Sequence, residues 1–311
     1  MSRIVFILLL NYFLIFRIVF GSSRNSDSCT VHDCNCNVQI EVVNAELVDD
    51  VEMADVNIDI RTSDNKKPLL ANRVSKASSC MEAEPSTCMA VKPFSCMEAA
   101  AKSWKSGIYQ IHLKKFNISD LEVYCEEDME FGGWLVIQRR QSGAMNFTRD
   151  WHEYKEGFGE LTGNYWIGLE KLHALTSSCE QELYIQLERR NGEKYYAKYS
   201  EFLIGNESES YILKNVGKYK GNAGDSLTPQ SGYKFSTYDR DNDTWGGGNC
   251  AKKYEGGWWY HICYRSHLNG VYGDDNAGVN WCAIKEYESL AFVQMMIRPT
   301  QNCWRRLMLS N

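Results

Sequence analysis

The chain opens with an unbroken apolar run from Ile4 to Leu10, and its hydrophobic character continues to Phe20. Residues 37–60 are different: seven acids (Glu41, Glu46, Asp49, Asp50, Glu52, Asp55, Asp59) alternate with Val and Ile, without a single Lys or Arg. Ile40, Val43, Leu47, Val51 and Ala54 are spaced near a heptad, but for fewer repeats than a coiled coil needs, and Val56–Ile60 alternates like a strand instead. The like charges also oppose parallel self-association. This segment has no assignable element, and the polar stretch 61–79 with Pro68 reads as linker. Beyond residue 96 short apolar runs predict strands at Leu135–Gln138, Leu183–Leu187, Tyr195–Tyr199 and Phe292–Ile297. Asp150–Tyr154 and Leu169–Leu175 predict short helices. Short mixed elements between long turn-rich stretches predict an α+β domain with a modest sheet.

Composition narrows the picture. With 311 residues and 44% hydrophobic content the chain can bury one large core and carry an extension. A net charge of -6 with no basic stripe argues against a nucleic-acid partner, because phosphate binding needs clustered Lys and Arg. Arg3, the apolar run and the small residues Gly21, Ser22 and Ser23 read as a secretory leader over 1–21. A membrane anchor is the competing reading, but Asn11 and Arg17 interrupt the ~20 apolar residues a span requires. Twelve cysteines behind a leader predict disulfides and a secreted, extracellular protein. Cys29, Cys34, Cys36, Cys80 and Cys88 precede the main domain; Cys96, Cys125, Cys179, Cys250, Cys263, Cys282 and Cys303 lie in it. Both counts are odd, so full oxidation sends at least one bridge out of the domain, to the arm or to another chain. Cys80, Cys88 and Cys96 sit eight apart, and Ser-Cys-Met-Glu-Ala recurs at 79–83 and 95–99, the mark of a small duplication. The expected organisation is a leader (1–21), an acidic cysteine-containing extension (22–90) and a globular domain (91–311).

Several motifs follow one another in that domain. Ser106-Gly107-Ile108-Tyr109 and Val123-Tyr124-Cys125 lead to Gly132-Gly133-Trp134 and Gln138-Arg139-Arg140. Tyr154-Lys155-Glu156-Gly157-Phe158-Gly159 and Tyr165-Trp166-Ile167-Gly168-Leu169 come next, then Ala223-Gly224-Asp225-Ser226-Leu227. Asp241-Asn242-Asp243, Asn249-Cys250-Ala251, Gly257-Trp258-Trp259-Tyr260, Leu268-Asn269-Gly270-Val271-Tyr272 and Ile297-Arg298-Pro299 close the series. In this order they resemble the fibrinogen C-terminal domain family, which includes ficolins, tachylectins and angiopoietins, across about two-thirds of the chain. The resemblance implies a compact α+β domain with a central, mainly antiparallel sheet, long disulfide-stapled loops and a ligand face in the last third.

It also implies bridges Cys96–Cys125 and Cys250–Cys263. Cys179, Cys282 and Cys303 are additional; Cys179–Cys303 is the preferred pair among them, leaving Cys282 for a bridge out of the domain. Asp241 and Asp243 match the family's calcium position, with the carbonyls of Trp245 and Gly247 as further ligands. Calcium takes six to eight hard oxygens, so two close carboxylates in a glycine-rich loop suit it. An extra glycine between Asp243 and Asn249 shifts the carbonyl register, and a D-x-D pair on its own is ordinarily a solvated turn.

In the family's lectins an acetyl group sits in an aromatic pocket by the second disulfide, where the peptide bond before the second cysteine is often cis; here that bond is Ile262–Cys263. Tyr254, Trp258, Trp259, Cys263, Tyr264, Asp275 and Asn276 are the positions implied for ligand binding. Aromatic faces pack C–H surfaces of sugars. Tyr264 replaces a common His, the 274–277 loop lacks the second pocket tyrosine, and Tyr272 is the candidate to compensate. Ordinary core packing is the plain alternative for Tyr254 and the tryptophan pair. The implied partners are glycans or other acetylated ligands in innate recognition. A cell-surface receptor or matrix partner, as for angiopoietins, or an adhesive oligomer linked through the N-terminal cysteines, are the alternatives.

No enzyme chemistry is expected. Gly224-Asp225-Ser226-Leu227 matches an esterase signature, whose serine would need a general base and an orienting carboxylate, but the family resemblance implies a structural turn here without catalysis. His152-Glu153 lacks the second His of a zinc-protease helix. His32, Cys34 and Cys36 suit zinc in principle, but oxidised cysteines fit a secreted arm better. Sequons at Asn117, Asn146 and Asn206 are surface glycosylation candidates; Asn242, between the calcium carboxylates, is expected to stay unmodified.

Overall fold

A computed structural model describes residues 3–9, 12–18, 92–101 and 103–304. The chain divides into two compact units, Met1–Ala90 and Val91–Asn311. In the first, β1 (Arg3–Leu9) and β2 (Tyr12–Ile18) pair as an antiparallel hairpin within the expected leader. The acidic segment, the linker and the arm cysteines lie outside the described residues. No helix among those described is long and apolar enough to cross a membrane.

The second unit is built on one sheet. Helix α1 (Cys96–Ala99) precedes β3 (Gly107–Leu113), β4 (Ile118–Glu126) and β5 (Trp134–Arg140). Helix α2 (Trp151–Glu156), the short strands β6 (Phe158–Gly159) and β7 (Tyr165–Trp166), and helix α3 (Leu169–Ser178) follow. Then come β8 (Gln181–Glu188), β9 (Lys194–Ile204), β10 (Leu213–Asn215) and β11 (Tyr219–Gly221). The last third holds β12 (Phe235–Ser236), helix α4 (Cys250–Tyr254), β13 (Trp258–Trp259), β14 (Ser266–His267) and β15 (Asn280–Trp281). It ends with the long β16 (Phe292–Pro299).

The main path of the sheet runs β10-β9-β8-β16-β5-β4-β3, and every pairing is antiparallel. The final strand thus inserts between β8 and β5 and closes the sheet late in the chain. Every residue of β5 is buried, as expected for a central strand covered on both faces. One face carries the main core, with Ile137, Leu183, Ile185, Trp166 and Phe235. The other carries a smaller cluster of Trp134, Val136, Tyr184 and Met296. Arg298 lies over the Trp134 ring at 4.1 Å and is held there by Glu182, which roofs that cluster with an ion pair.

The expected elements are present with longer ends. The 150–154 helix is α2, whose capping box joins Asp150 and Glu153 reciprocally, satisfying two otherwise orphaned backbone donors. It ends at Gly157, φ 93°, where a Cβ would stand 2.4 Å from the Ile167 carbonyl oxygen, so only glycine fits. Three disulfides staple the unit: Cys96–Cys125, Cys179–Cys303 and Cys250–Cys263, with Cα separations of 5.4, 5.7 and 5.6 Å. Cys282, the odd cysteine of the seven in this unit, has no disulfide partner among the described residues.

Candidate functional site

The loops of the last third are arranged by two small pairings. β12 pairs with β13 and β14 with β15, in the registers Phe235↔Trp259 and Ser266↔Trp281. The second pairing extends into the loops, where the Cys282 amide donates to the Arg265 carbonyl at 3.0 Å. It therefore draws segment 261–265 against segment 282–287. Helix α4 supplies the third wall. Asn249 caps it, accepting the Lys252 amide at 2.8 Å, and Cys250 at its first turn is bridged to Cys263.

These walls enclose a cavity of about 410 Å³. Tyr254, Cys263 and Tyr264, all expected there, line it together with Gln230, His261, Arg265, Asn280, Cys282, Glu286 and Tyr287. Tyr254 and Tyr264 meet edge to face at 4.9 Å, and His261 stacks on Tyr233 at 4.3 Å. Gln230 is a buried floor: it donates to the Trp259 carbonyl and accepts from the amide and hydroxyl of Ser266. The Ile262–Cys263 bond is cis, as the resemblance implied.

Four expected positions are not in this cavity. Trp258 and Trp259 are fully buried: Trp259 donates to the Tyr211 carbonyl at 2.8 Å and packs edge-on to Phe235, so the pair is core. Asp275 forms an ion pair with Arg190 and accepts the Ser289 amide, and the Asn276 amide turns back to Asp274. Both belong to a separate loop outside the lining. Tyr272 does not compensate for the missing tyrosine, because its hydroxyl donates to the Ala291 carbonyl at 2.6 Å. Tyr287, 66% exposed, is the further aromatic group at the cavity, and sequence reasoning missed it. Its signal is an aromatic ring inside the charged run Lys285-Glu286-Tyr287-Glu288.

The Asp241–Asn249 loop borders this site. Asp243 accepts the Trp245 amide through Oδ1 and the Cys250 amide through Oδ2, each at 2.7 Å. One carboxylate therefore ties the loop to the start of α4, and the Thr244 amide ties it to the His261 carbonyl at 3.2 Å. Asp241 accepts the Asp243 amide at 3.2 Å. Loss of surrounding water raises its pKa, and the adjacent Asp243 carboxylate adds to the rise. Two carboxylates that repel in this way are a fitting donor pair for a hard cation. No cluster of three or more His, Cys, Asp or Glu able to hold a metal occurs among the described residues, so other ligands here would be carbonyls and water. The Trp245 carbonyl accepts the Gly248 amide at 3.1 Å and keeps a second lone pair, whereas Gly247 is exposed.

The esterase-like run is a turn. Ser226 is buried and its hydroxyl accepts the Ala283 amide, while Asp225 accepts the Tyr199 hydroxyl and the Leu227 and Thr228 amides.

Comparison with known proteins agrees with this architecture. The family model of the C-terminal globular domain of fibrinogen beta and gamma chains matches residues 93–300. Mouse angiopoietin-related protein 6 is 47% identical over 172 residues, covering 55% of this chain and 36% of the relative. Ryncolin-4 of Cerberus rynchops is 44% identical over 186 residues, covering 58% and 54%. The chain thus matches about half or less of the length of these curated relatives. The fibrinogen-like globe domain of human ANGPTL2 superposes with a TM-score of 0.64 at 41% identity, covering 67% of this chain and 99% of that domain. By its matched span, its antiparallel sheet and its disulfides, the chain belongs to the family of the fibrinogen C-terminal globular domain.

Proposed function

We propose that this is a secreted recognition protein that binds acetylated glycans, in the manner of an innate-recognition lectin, at the cavity beside Cys250–Cys263. The observation that carries the reading is the cavity itself: tyrosines meeting edge to face beside a disulfide, over a hydrogen-bonded polar floor. Such a surface packs methyl and C–H groups and leaves polar edges for hydroxyls. Three disulfides support an oxidising, extracellular setting. Calcium is proposed at Asp241 and Asp243, with carbonyls of the Trp245–Gly247 stretch and water as the remaining ligands. Its role is structural: neutralising the two carboxylates would fix the loop that Asp243 joins to α4.

The test is calorimetric titration of the full chain with N-acetylglucosamine in calcium and then in EDTA. Saturable heat is expected, lost in EDTA, with the affinity reduced up to about tenfold by Tyr254→Ala, the scale of an aromatic contact. Absence of heat from folded, calcium-loaded protein would overturn binding of that sugar. A protein partner, such as a receptor or matrix component, is the second reading. Trp104, Ile108 and Phe131 favour it, being large apolar side chains 64%, 51% and 80% exposed.

A further inference from the structure

The far face of the sheet carries a second concave surface, which shares no residue with the cavity beside Cys250–Cys263. Its floor is set by register. Gln186, Gln294 and Arg139 stand opposite one another across β8, β16 and β5, and Gln294 lies two residues from Met296. Glu126 on β4 stands opposite Trp134. Cross-strand partners share a face, so these four side chains lie on the side of the Trp134 cluster. Arg139 reaches that side only through a bulge. Trp134 and Val136 point to it, so strict alternation would bring Gln138 and Arg140 next. Instead Met295 pairs with Gln138 and Met296 with Val136, which leaves Ile137 as an extra residue. The phase slips by one: Gln138 and Arg140 turn to the Leu268 carbonyl, and Arg139 turns to the far face. The result is an open groove of about 430 Å³, lined by the four polar side chains together with Asp128 and Phe292.

Arg139 is 5% exposed, with its guanidinium on the Tyr124 ring at 4.5 Å. Nε donates to Gln294 and Nη1 to the Leu161 carbonyl, whereas Nη2 has no protein acceptor among the described residues. Glu126 and Asp128 share the Ser106 hydroxyl, which leaves the second oxygen of Asp128 without a donor among the described residues. The side-chain amide of Gln186 is likewise uncommitted at the groove. We infer that this groove binds a neutral, hydroxyl-rich oligosaccharide, at a site separate from the acetyl cavity. Charge decides the class. An anion at Arg139 would meet the carboxylates of Glu126 and Asp128, and a cation at those carboxylates would meet Arg139. A sugar hydroxyl carries no charge and donates and accepts at once, so a vicinal pair can take the free edge of Arg139 and also serve Asp128. Phe292 offers ring surface to the C–H groups between hydroxyls. An added peptide strand finds no backbone edge here, because β4, β5, β16 and β8 are each paired on both sides.

The experiment is a ligand-observed NMR titration of the full chain with maltotriose, cellotriose and mannotriose. Trigalacturonic acid and a neutral glycine–serine hexapeptide are the controls. At least one neutral trisaccharide should bind, as tightly in EDTA and in Tyr254→Ala as in the wild type, and neither control should. Asp128→Ala should weaken that binding about tenfold, the scale of a hydrogen bond to a charged group, and Gln186→Ala about fivefold, the scale of a neutral one. Failure of all three neutral sugars overturns the inference, whatever the result with N-acetylglucosamine, which reports on the other cavity. Binding that Tyr254→Ala abolishes and Asp128→Ala spares also overturns it, by placing the sugar in that cavity. Equal binding of trigalacturonic acid overturns the selection by charge, and binding of the hexapeptide in place of the sugars gives the groove to a protein partner. Should Asp128→Ala unsettle the turn at Ser106, Gln186→Ala decides, since that amide holds no other group in place.

Discussion

The residue most sensitive to pH is His267. It is fully buried, with Nε2 2.8 Å from the Tyr260 hydroxyl and Nδ1 without a partner. Burial, and then the nearby Arg140 charge, lower its pKa from 6.5 to about 3. The folded protein therefore keeps His267 neutral while the unfolded chain protonates it below its ordinary pKa. Between those two values the unfolded state binds the extra proton, so stability falls as pH falls, by at most about 1.4 kcal/mol per pH unit from this group. Urea midpoints at pH 7 and pH 4.5 should show this loss, and His267→Gln, which keeps a donor for Tyr260, should flatten it. An unchanged slope in the variant would assign the acid sensitivity elsewhere. Hydrogen bonding at the same scale sorts the glycosylation sites. Asn117, Asn146 and Asn206 are exposed, and the side chains of Asn146 and Asn206 accept amides through Oδ1, leaving Nδ2 free. Asn242 instead donates Nδ2 to the Phe235 carbonyl at 2.8 Å, so the nitrogen that would carry the glycan is engaged. Peptide mapping after glycosidase treatment should find glycans at the first three positions and none at Asn242.

Among the elements, the disulfides differ most in the chain they enclose. Cys250–Cys263 spans 13 residues and Cys179–Cys303 spans 124. If the bridges act by limiting the unfolded chain, the shorter contributes about 3 kcal/mol and the longer about 5. The double variant Cys179→Ala/Cys303→Ala should therefore cost more in a urea melt than Cys250→Ala/Cys263→Ala. The short bridge should matter more for sugar binding, because it fixes the wall that carries Cys263 and Tyr264. The reverse order of stabilities would show that native packing outweighs chain entropy at these sites. The long strands β5, β8, β9 and β16 were legible in the sequence because each holds at least four apolar residues within a run of five or six. The two-residue strands β12 to β15 were not, since two residues have no period at all. That limit explains the tryptophan pair: the two rings meet 5.1 Å apart in the main core, and only the tertiary cover shows that both are buried. It also explains why Arg265, Glu286 and Tyr287 escaped notice. Tyr254, Cys263 and Tyr264 lie within a few residues of the motifs that carry the resemblance, Asn249-Cys250-Ala251 and Gly257-Trp258-Trp259-Tyr260, whereas 265 and 286 meet only through the β14–β15 pairing. The departure of Asp275 and Asn276 has the same origin, their loop being bound to Arg190 and Ser289 instead.

For the whole molecule, cysteine parity constrains assembly. The chain has twelve cysteines, and the three bridges of the second unit consume six of them. Cys282 keeps a thiol that donates to Asn280 Oδ1 at 3.2 Å, and burial raises its pKa, so little of the reactive thiolate is present at neutral pH. The thiol also sits in the wall of the cavity rather than on an open surface. The five remaining cysteines, Cys29, Cys34, Cys36, Cys80 and Cys88, are an odd number, and an odd set cannot be fully oxidised within one chain. Full oxidation of these five without Cys282 therefore requires an even number of chains. Non-reducing electrophoresis of the purified, oxidised protein should show dimers or larger even-numbered species that collapse to monomer on reduction, and Cys282→Ser should leave that pattern unchanged. Loss of the larger species in Cys282→Ser would place the interchain bridge at the cavity wall. A fully oxidised monomer would pair Cys282 with the arm instead. Even-numbered assembly would also present several cavities on one particle, so that, under the proposed sugar-binding role, weak single contacts would add to strong attachment on a surface that repeats the ligand.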